Sequence, residues 1–288
     1  MSLILITEFH KLHKKNGLTE NVIQTFQKII YSYYNQHGRE FPFREKISEY
    51  YVLVSEIMLQ QTQTGTVAEK FLKFIKRFPD FKTLANAPLD EVLRAWQGLG
   101  YNRRAKALKE IAIKVIEDYN GKLPKSVELL KKLPQIGHNT ASSIVAFAFN
   151  TPTYFVETNI RRVYMYFFFS HKDQIKDKEI LPLVKETIDK QNPREWYYAL
   201  MDYGVMLKKT HPELNKRSAH YRKQKPFKGS NREIRGKVLR MFLKTKSLSK
   251  DQIMNKLNFN AERIKQVLNQ LEKEGFIQKE EKIYSVPQ

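Results

Sequence analysis

The 288-residue chain contains no cysteine. Disulfides, thiolate zinc sites, cysteine-ligated iron–sulfur clusters and cysteine nucleophiles are therefore excluded. Long apolar runs are missing too: no stretch reaches the roughly 18 residues of a membrane-spanning helix, and the N-terminal MSLILITEFHKLHKKNG holds only four consecutive apolar residues. The sequence predicts neither a transmembrane helix nor a signal peptide, so we expect an intracellular protein, cytoplasmic and associated with the nucleoid.

Acidic residues are scarce beside basic ones. The chain has 51 Lys and Arg against 30 Asp and Glu, a formal net charge of +21. Such a surface attracts polyanions, and nucleic acid is the expected partner. An anionic membrane surface is the least favoured alternative, because the basic residues do not alternate with a Trp- and Phe-rich amphipathic face.

Most of the sequence shows the periodicity of α-helices. Apolar residues recur at i, i+3 and i+4, segments such as NAPLDEVLRAW and EDYNGKLP carry helix-cap signals, and no alternating strand pattern precedes residue 270. The length favours two domains over a single core. The sequence predicts a mainly α-helical protein, with an N-terminal extension over residues 1–24 and a helical domain over residues 25–210.

Charge and composition change after that domain. Between Lys208 and Arg240 there are twelve Lys or Arg and two Glu, which predicts a basic linker over residues 211–232. Three short amphipathic segments and the plausible hairpin FIQKEEKIYSV follow, the order of a winged helix over residues 233–288. In that interpretation Asn260–Glu274 is the groove helix; the balanced charge of this helix equally fits a protein-docking or spacer module.

The stretch LPQIGHNTA predicts a tight reversal between two helices. The first helix is expected to stop at Pro134, Gly137 to supply backbone freedom, and Thr140 to begin a helix rich in small residues. Exposed amides at a helix start bind phosphate, so this hairpin would hold the DNA backbone without reading sequence. Taken alone, it also fits an ordinary glycine-containing helical turn.

Five motifs together carry a family resemblance. Their order and spacing resemble the helix-hairpin-helix base excision DNA glycosylases, and within them the MutY-type adenine glycosylases, over roughly residues 25–210. The motifs are SEIMLQQTQTGTV at Ser55, GLGYNRRAKAL at Gly98, LPQIGHNTA at Leu133, VETNIRRV at Val156 and MDYGVML at Met201. The resemblance implies the helix-hairpin-helix glycosylase fold of two helical subdomains.

Glu56 is the candidate general acid. Cleavage of an N-glycosidic bond needs an acid for the leaving base and a negative charge near the sugar cation. Glu56 is followed by Ile57, Met58 and Leu59, and desolvation in such surroundings would raise its pKa. The resemblance implies that Glu56 protonates the adenine ring and then activates water; the alternative is a solvated helix glutamate.

The second candidate carboxylate is Glu157, which follows an apolar run. The family has Asp there to stabilise the sugar cation, and Asn159 matches a family Asn that orients this region. The extra methylene shifts the carboxylate by about 1.5 Å, one C–C bond, and a misplacement of about 1 Å can cost on the order of 100-fold in rate. Alternatively, Glu157 is an acid that stabilises a helix start.

Asn139 bears on the reaction type. Bifunctional relatives carry Lys at this position, whose amine forms a Schiff base with the sugar, and Asn has no nucleophilic amine. The resemblance therefore implies a monofunctional enzyme that leaves an abasic site. MutY-type members have Ser or Tyr here, so Asn139 is a second departure within the catalytic set.

The resemblance also implies residues for base recognition and DNA contact. Arg39, Arg44 and Leu59 are expected in the base pocket, where the family's usual Trp is Phe43 in this chain. Side chains that enter the stack partly offset the unstacking of a flipped base. The predicted DNA contacts are Gln61, Thr62, Leu99, Tyr101, Gln135, Gly137 and Thr140; for Leu99 and Tyr101 ordinary packing is the alternative.

Two family features are absent from the sequence. Most MutY-type enzymes carry four cluster-binding Cys after the motif at Met201, whereas this chain has none, and His211 and His220 are too few for a structural metal. We expect no metal or other cofactor, apart from an optional monovalent cation at the hairpin. The winged-helix segment stands where the family has its 8-oxoguanine-recognition domain.

These observations together predict a monomeric, monofunctional DNA glycosylase. Its expected partner is double-stranded DNA with a mismatched or damaged base, and its expected substrate is adenine opposite guanine or 8-oxoguanine. An enzyme that removes thymine or uracil opposite guanine is the nearest alternative. A catalytically silent DNA-binding protein is another, if the residues at positions 157 and 139 disable the chemistry.

Overall fold

The computed structural model describes residues 2–170, 172–222, 226–245 and 247–287, and it confirms the mainly helical prediction. The helices are α1 Ser2–Asn16, α2 Glu20–His37, α3 Pro42–Glu45, α4 Glu49–Leu59, α5 Thr64–Arg77, α6 Phe81–Asn86, α7 Leu89–Ala95, α8 Arg103–Asp118, α9 Val127–Leu130, α10 His138–Phe149, α11 Thr158–Phe168, α12 Asp177–Thr187, α13 Pro193–Thr210, α14 Asn231–Thr245, α15 Lys250–Lys256 and α16 Ala261–Lys273. A 3-10 helix spans Pro212–Arg217, and the strands are β1 Ser247–Ser249, β2 Gln278–Glu280 and β3 Ile283–Ser285. Within the described ranges, none of the helices combines the length and apolar character that crossing a bilayer requires.

The chain divides into two compact units. The first unit comprises Met1–Glu56 with Leu123–Arg222, and the second comprises Ile57–Lys122 with Lys223–Gln288. This division cuts across the ranges drawn from the sequence. The predicted N-terminal extension belongs to the first unit, and the predicted C-terminal segment shares a unit with the helices of residues 57–122.

Aromatic side chains fill the core of the first unit. Phe9 of α1 is fully buried, with its ring centroid 6.0 Å from that of Phe26 and 5.2 Å from that of Phe167. The fully buried Trp196 of α13 lies 5.7 Å from Phe26. Because α1 supplies Phe9 to this cluster, the N-terminal helix is a structural part of the unit.

A glycine allows two helices of the first unit to pack closely. A Cβ atom added to Gly204 of α13 would lie 2.4 Å from the Asn159 carbonyl oxygen in α11. That separation is well inside van der Waals contact, so only glycine fits without a backbone shift. Gly204 thereby brings α13 against the first turn of α11, which begins directly after Glu157.

The helical part of the second unit has a tryptophan of its own. Trp96, directly after α7, is fully buried and lies 5.8 Å from Phe74, centroid to centroid. Its Nε1 donates a hydrogen bond to the Gly100 carbonyl oxygen at 3.1 Å. Trp96 therefore links the core of the unit to the loop that follows it.

The C-terminal part of the second unit forms three helices and a three-stranded antiparallel sheet. The strand order is β1-β3-β2, and Tyr284 of β3 pairs with Leu248 and Lys279 on its two sides. The strand β1 precedes residue 270, where the sequence has no alternating pattern, because β1 has only three residues and is too short to show alternation. α16 matches the predicted third helix, with the Asn260 side chain capping its first turn.

The hairpin region departs from prediction in two details. The preceding helix α9 ends at Leu130, before Pro134, and α10 begins at His138, ahead of Thr140. The expected role of Gly137 as the flexible residue was also wrong. Its φ of −87° and ψ of 176° are open to any residue, and the left-handed residue of the turn is Gln135, with φ 59°.

Candidate functional site

The centre of the candidate site is a hydrogen bond between two helices of the first unit. Glu56 of α4 is half-buried, and its Oε2 accepts a hydrogen bond from the Ser143 Oγ at 2.5 Å. Ser143 lies in α10 and is buried, and its Oγ also lies 3.0 Å from the Thr140 carbonyl oxygen. The α10 helix thus fixes the carboxyl group of Glu56 through Ser143.

Burial raises the pKa of Glu56 to about 7, and the nearby Glu157 carboxylate contributes in the same direction. The Ser143 hydrogen bond and the Arg44 guanidinium oppose this rise, because both favour the ionised form. The direction agrees with the expectation from the apolar neighbours of Glu56. A carboxyl group with a pKa near neutrality can donate a proton and afterwards accept one.

Glu157 caps α11. Its Oε1 accepts hydrogen bonds from the backbone N–H groups of Asn159 at 2.8 Å and Ile160 at 3.0 Å, and its Oε2 lies 3.3 Å from the Asn159 Nδ2. These contacts are those of an acid that stabilises a helix start, the alternative given for Glu157 from the sequence. These bonds also fix the carboxylate where its charge acts on Glu56.

A buried arginine supports this helix start. Arg162 is 2% exposed and donates to the Asn159 Oδ1 at 2.8 Å, the Gly204 carbonyl oxygen at 2.5 Å and the Asn215 Oδ1 at 3.0 Å. Burial lowers its pKa, whereas the charge of Glu157 raises it. The sequence analysis missed Arg162; its position three residues after Asn159, on the same helix face, was the available signal.

The two predicted pocket arginines meet on one carboxylate. Asp202 is fully buried and accepts hydrogen bonds from Arg39 through the backbone N–H at 2.7 Å, Nε at 2.9 Å and Nη2 at 2.6 Å. Arg44 donates to both Asp202 oxygens at 3.1 Å, and its guanidinium lies 4.3 Å from the centroid of the Tyr198 ring. Two cations share one anion, so the cluster carries one net positive charge.

Asp202 was not singled out from the sequence, because it lies 163 residues from Arg39 and acts only through the fold. Its place in the motif MDYGVML was the available signal. Leu59, predicted for the same pocket, is the last residue of α4, is half-buried and belongs to the second unit. Its role in base recognition stays a prediction.

Asn139 is exposed at the start of α10, and its side chain acts on the backbone. Its Nδ2 donates to the Val156 carbonyl oxygen at 2.9 Å, and the neighbouring His138 Nε2 lies 3.1 Å from the Tyr154 carbonyl oxygen. These bonds tie the hairpin to the segment that leads into Glu157. Asn139 is thus placed to hold that segment in position.

The hairpin presents an open backbone. A Cβ atom on the exposed Gly137 would meet nothing within 4 Å, and Gln135 is exposed beside it. Thr140 is half-buried in the first turn of α10. An approaching group can therefore reach the backbone at Gly137 closely, as a phosphate requires.

The remaining predicted DNA contacts lie on two loops of the second unit. Gln61 and Tyr101 are exposed and both have left-handed backbones, with φ 55° and 47°. Thr62 is half-buried, and its Oγ1 accepts a hydrogen bond from Arg104 Nη2 at 2.9 Å. Leu99 is only 4% exposed, as the packing alternative describes, and its contact with DNA stays a prediction.

Arg104 holds the two loops together. Its Nη1 donates to the carbonyl oxygens of Ile57, Met58 and Gln60 at 2.6–2.9 Å, and its Nη2 to those of Leu99 and Gly100 at 2.8 and 3.2 Å. Burial lowers the pKa of Arg104 to about 10, well above neutrality. The sequence analysis missed this residue, since an arginine in a basic chain gives no local signal of burial.

Comparison with known proteins places the chain in a family. Residues 54–189 match the family described as HhH-GPD superfamily base excision DNA repair protein. The adenine DNA glycosylase of Buchnera aphidicola subsp. Baizongia pistaciae (strain Bp) is 37% identical over 196 residues, which cover 66% of this chain and 55% of the relative. The adenine DNA glycosylase of Rattus norvegicus is 33% identical over 195 residues, covering 64% and 38%.

The chain therefore spans only about half, or less, of the length of these relatives. Among solved structures, a thermostable thymine-DNA glycosylase is similar with a TM-score of 0.58 and 26% identity, over 69% of this chain and 96% of that one. The matched family range includes Glu56, Ser143, Asn139 and Glu157. Residues 54–189 therefore form an HhH-GPD domain of the base excision DNA repair superfamily.

Proposed function

We propose that the protein is a monofunctional DNA glycosylase that removes adenine opposite guanine or 8-oxoguanine. The observation that carries the proposal is Glu56, whose carboxyl group has a pKa of about 7 and is fixed by Ser143. A general acid works best with a pKa near the working pH. The adenine DNA glycosylases among the relatives support the choice of base.

The proposed reaction begins with transfer of the Glu56 proton to a ring nitrogen of a flipped adenine. The bond between C1′ of the sugar and N9 breaks, its electron pair leaves with the base, and an oxocarbenium-like sugar remains. Water then adds to C1′, and the Glu56 carboxylate takes up the proton that the water loses. The products are free adenine and an abasic site, and Glu56 is protonated again.

Glu157 would stabilise the sugar cation through its negative charge. Its Oε1 accepts hydrogen bonds from two backbone N–H groups, whereas among the described residues its Oε2 has only the longer contact to the Asn159 Nδ2. The same charge favours the protonated form of Glu56. One carboxyl group is thereby kept as the acid while the other supplies charge, a division common in glycosidases.

Monofunctional chemistry follows in this proposal from Asn139, whose amide cannot form a Schiff base and already donates to Val156. We propose no cofactor for the reaction, since proton transfer and charge stabilisation account for each step. Double-stranded DNA is the proposed partner of a monomer. Its backbone would lie on the open hairpin at Gly137, with Gln61 and Tyr101 entering the stack.

Removal of thymine opposite guanine is a second candidate, favoured by the similarity to the solved thymine-DNA glycosylase. Adenine has ring nitrogens that accept a proton from Glu56, whereas thymine offers carbonyl oxygens. The raised pKa of Glu56 therefore supports adenine. The net positive charge of the Arg39, Arg44 and Asp202 cluster is compatible with the acceptor ring nitrogens of adenine, with the carbonyl oxygens of thymine and with an opposing guanine, so it does not decide between them.

Single-turnover excision on four duplexes tests the proposal. We expect abasic sites, detected by alkaline cleavage, from duplexes with A:G and A:8-oxoguanine, and none from T:G or U:G. Glu56→Gln should abolish excision while DNA affinity stays within a few-fold, and borohydride should trap no covalent complex. Excision from T:G or U:G alone would reassign the substrate, and silence on every duplex would favour a DNA-binding protein without catalysis.

A further inference from the structure

Three arginines of the second unit are linked to the exposed Tyr101 or to the chain beside it. Arg103 lies two residues after Tyr101 in the chain, and Arg232 and Arg235 come from α14 in the C-terminal part. We call Tyr101 and these three arginines the Tyr101 patch. Tyr101 is 42% exposed and Arg103 keeps half of its side chain in solvent, whereas Arg235 is largely buried, so Tyr101 and Arg103 bring the patch to the surface.

Direct contacts bring the C-terminal part to Tyr101. Arg232 Nη1 donates a hydrogen bond to the Tyr101 hydroxyl at 3.3 Å. Glu274, directly after α16, forms ion pairs with both Arg103 and Arg235. Arg232 is thus bonded to Tyr101 itself, and Glu274 joins Arg103 of α8 to Arg235 of α14.

The turn that precedes Arg232 is itself held in place. Arg263 of α16 donates to the Gly229 carbonyl oxygen at 2.7 Å and to the Asn231 Oδ1 at 2.8 and 3.0 Å. Glu233 accepts from the Gly229 N–H at 2.6 Å and pairs with Lys237 at 3.0 Å. Arg263 and Glu233 therefore position the first turn of α14.

The charges favour a polyanion at this place. The three guanidinium groups of the patch and the Glu274 carboxylate leave two net positive charges, and the Arg104 guanidinium, 5.6 Å from the centroid of the Tyr101 ring, adds a third. Residues 226–245 contain six Lys or Arg and one Glu, whereas α16 contains three Lys or Arg and two Glu. Of these two helices, α14 is thus the more basic. The role of α16 is to hold its neighbours: Arg263 contacts Asn231 of α14, and Glu274, directly after α16, pairs with Arg103 of α8.

We propose that the C-terminal part binds the DNA backbone through Arg232 and the Tyr101 patch, and that α16 is a supporting helix and not the groove helix. This inference rests on the proposed function in that DNA is the partner and Tyr101 contacts it. When Tyr101 enters the stack, Arg232 beside its hydroxyl faces a neighbouring phosphate. The C-terminal part then adds affinity without reading sequence.

The test is a salt titration of DNA binding by the full chain. Fluorescence anisotropy with a labelled undamaged duplex and with an A:G duplex is measured for the wild type, Arg232→Ala and Arg240→Ala. Arg240 is the matched control, because it lies on the same helix, is exposed, and its Nε donates to the Gly236 carbonyl oxygen of that helix. A third variant, Lys265→Ala with Lys273→Ala, removes two exposed cations of α16.

Arg232→Ala should weaken binding about tenfold at moderate salt and reduce the slope of log K against log salt by about 0.9, the loss of one phosphate contact. Arg240→Ala should change neither value measurably, and thermal unfolding should show all variants folded. Equal affinity and slope for Arg232→Ala and the wild type would overturn the inference. A reduced slope in the α16 variant alone would overturn it in favour of a groove helix.

The outcomes separate this inference from the proposed function. If Arg232→Ala weakens DNA binding as expected but the wild type excises no base, the inference holds and the glycosylase proposal fails. If the wild type excises adenine and Arg232→Ala binds normally, only the inference fails.

Discussion

Replacing Ser143 by alanine should move the pH dependence of excision upward. The Ser143 Oγ donates to the Glu56 carboxylate at 2.5 Å and holds the pKa of Glu56 below the value that burial alone would give. Its removal leaves the ionised form less stabilised, so the pKa of Glu56 must rise above about 7. The proposed mechanism requires protonated Glu56, and activity is therefore present below this pKa and lost above it.

The size of the shift follows from the hydrogen bond. A hydrogen bond to a charged group contributes about 1.5 kcal/mol or more, and one pKa unit corresponds to about 1.4 kcal/mol, so we expect a shift of about one unit. At pH 8 roughly a tenth of the wild-type Glu56 is protonated, against about half in Ser143→Ala. Relative to its own low-pH plateau, the variant should thus be about fivefold more active than the wild type at pH 8.

The assay is the single-turnover excision rate on an A:8-oxoguanine duplex between pH 5 and 9. Ser142→Ala is the matched control, because Ser142 is the preceding buried residue of α10 and its Oγ finds no hydrogen-bond partner within the described part of the chain. The excision rate of Ser142→Ala should therefore fall at the same pH as that of the wild type. If the rate of Ser143→Ala falls at the same pH as that of the wild type, or at a lower pH, the role given to the hydrogen bond between Ser143 and Glu56 is refuted.

Three further variants probe the site and the loops. Glu56→Gln should raise the free energy of unfolding at pH 8 by up to about 3 kcal/mol and leave it unchanged near pH 4.5. The reason is that the folded pKa of Glu56, about 7, lies above its ordinary value of 4.5, so the wild type loses stability as the pH rises between these two values. Urea unfolding at both pH values checks this. Glu157→Gln should lower the single-turnover rate about 100-fold while DNA affinity stays within a few-fold. Glu157→Asp keeps the negative charge and the helix cap and should retain activity. Equal rates for the two variants would show that the charge of Glu157 has no part in catalysis. Arg104→Met should reduce the free energy of unfolding by more than about 3 kcal/mol, because the oxygen atoms of two loops lose their shared donor; a stability loss below about 1 kcal/mol would contradict that account.

Local signals predicted the helices well. The apolar face of α16, with Ile264, Val267, Leu268 and Leu271 buried, repeats at helical spacing, and the Asn260 cap marks its start. The apolar residues around Glu56 likewise predicted the direction of its pKa shift, because burial depends on immediate neighbours. Such features are encoded within one or two helical turns.

Long-range features could not be predicted from the same signals. Ser143 lies 87 residues from Glu56, and Asp202 lies 163 from Arg39, so only the fold brings each pair together. The three-residue β1 is too short for a periodic pattern. The burial of Leu99 could not be predicted either, because a loop motif does not reveal whether a side chain turns inward or outward.

The two tryptophans give the protein a built-in optical readout. The chain has one in each compact unit, Trp196 in the first and Trp96 in the second, and both are buried. Single-tryptophan variants would therefore report the unfolding of each unit separately through the emission wavelength. Trp96 donates to Gly100, the residue before Tyr101, and its ring lies 5.5 Å from the Arg104 guanidinium. Its fluorescence should consequently register a rearrangement of this loop on DNA binding, without any added dye.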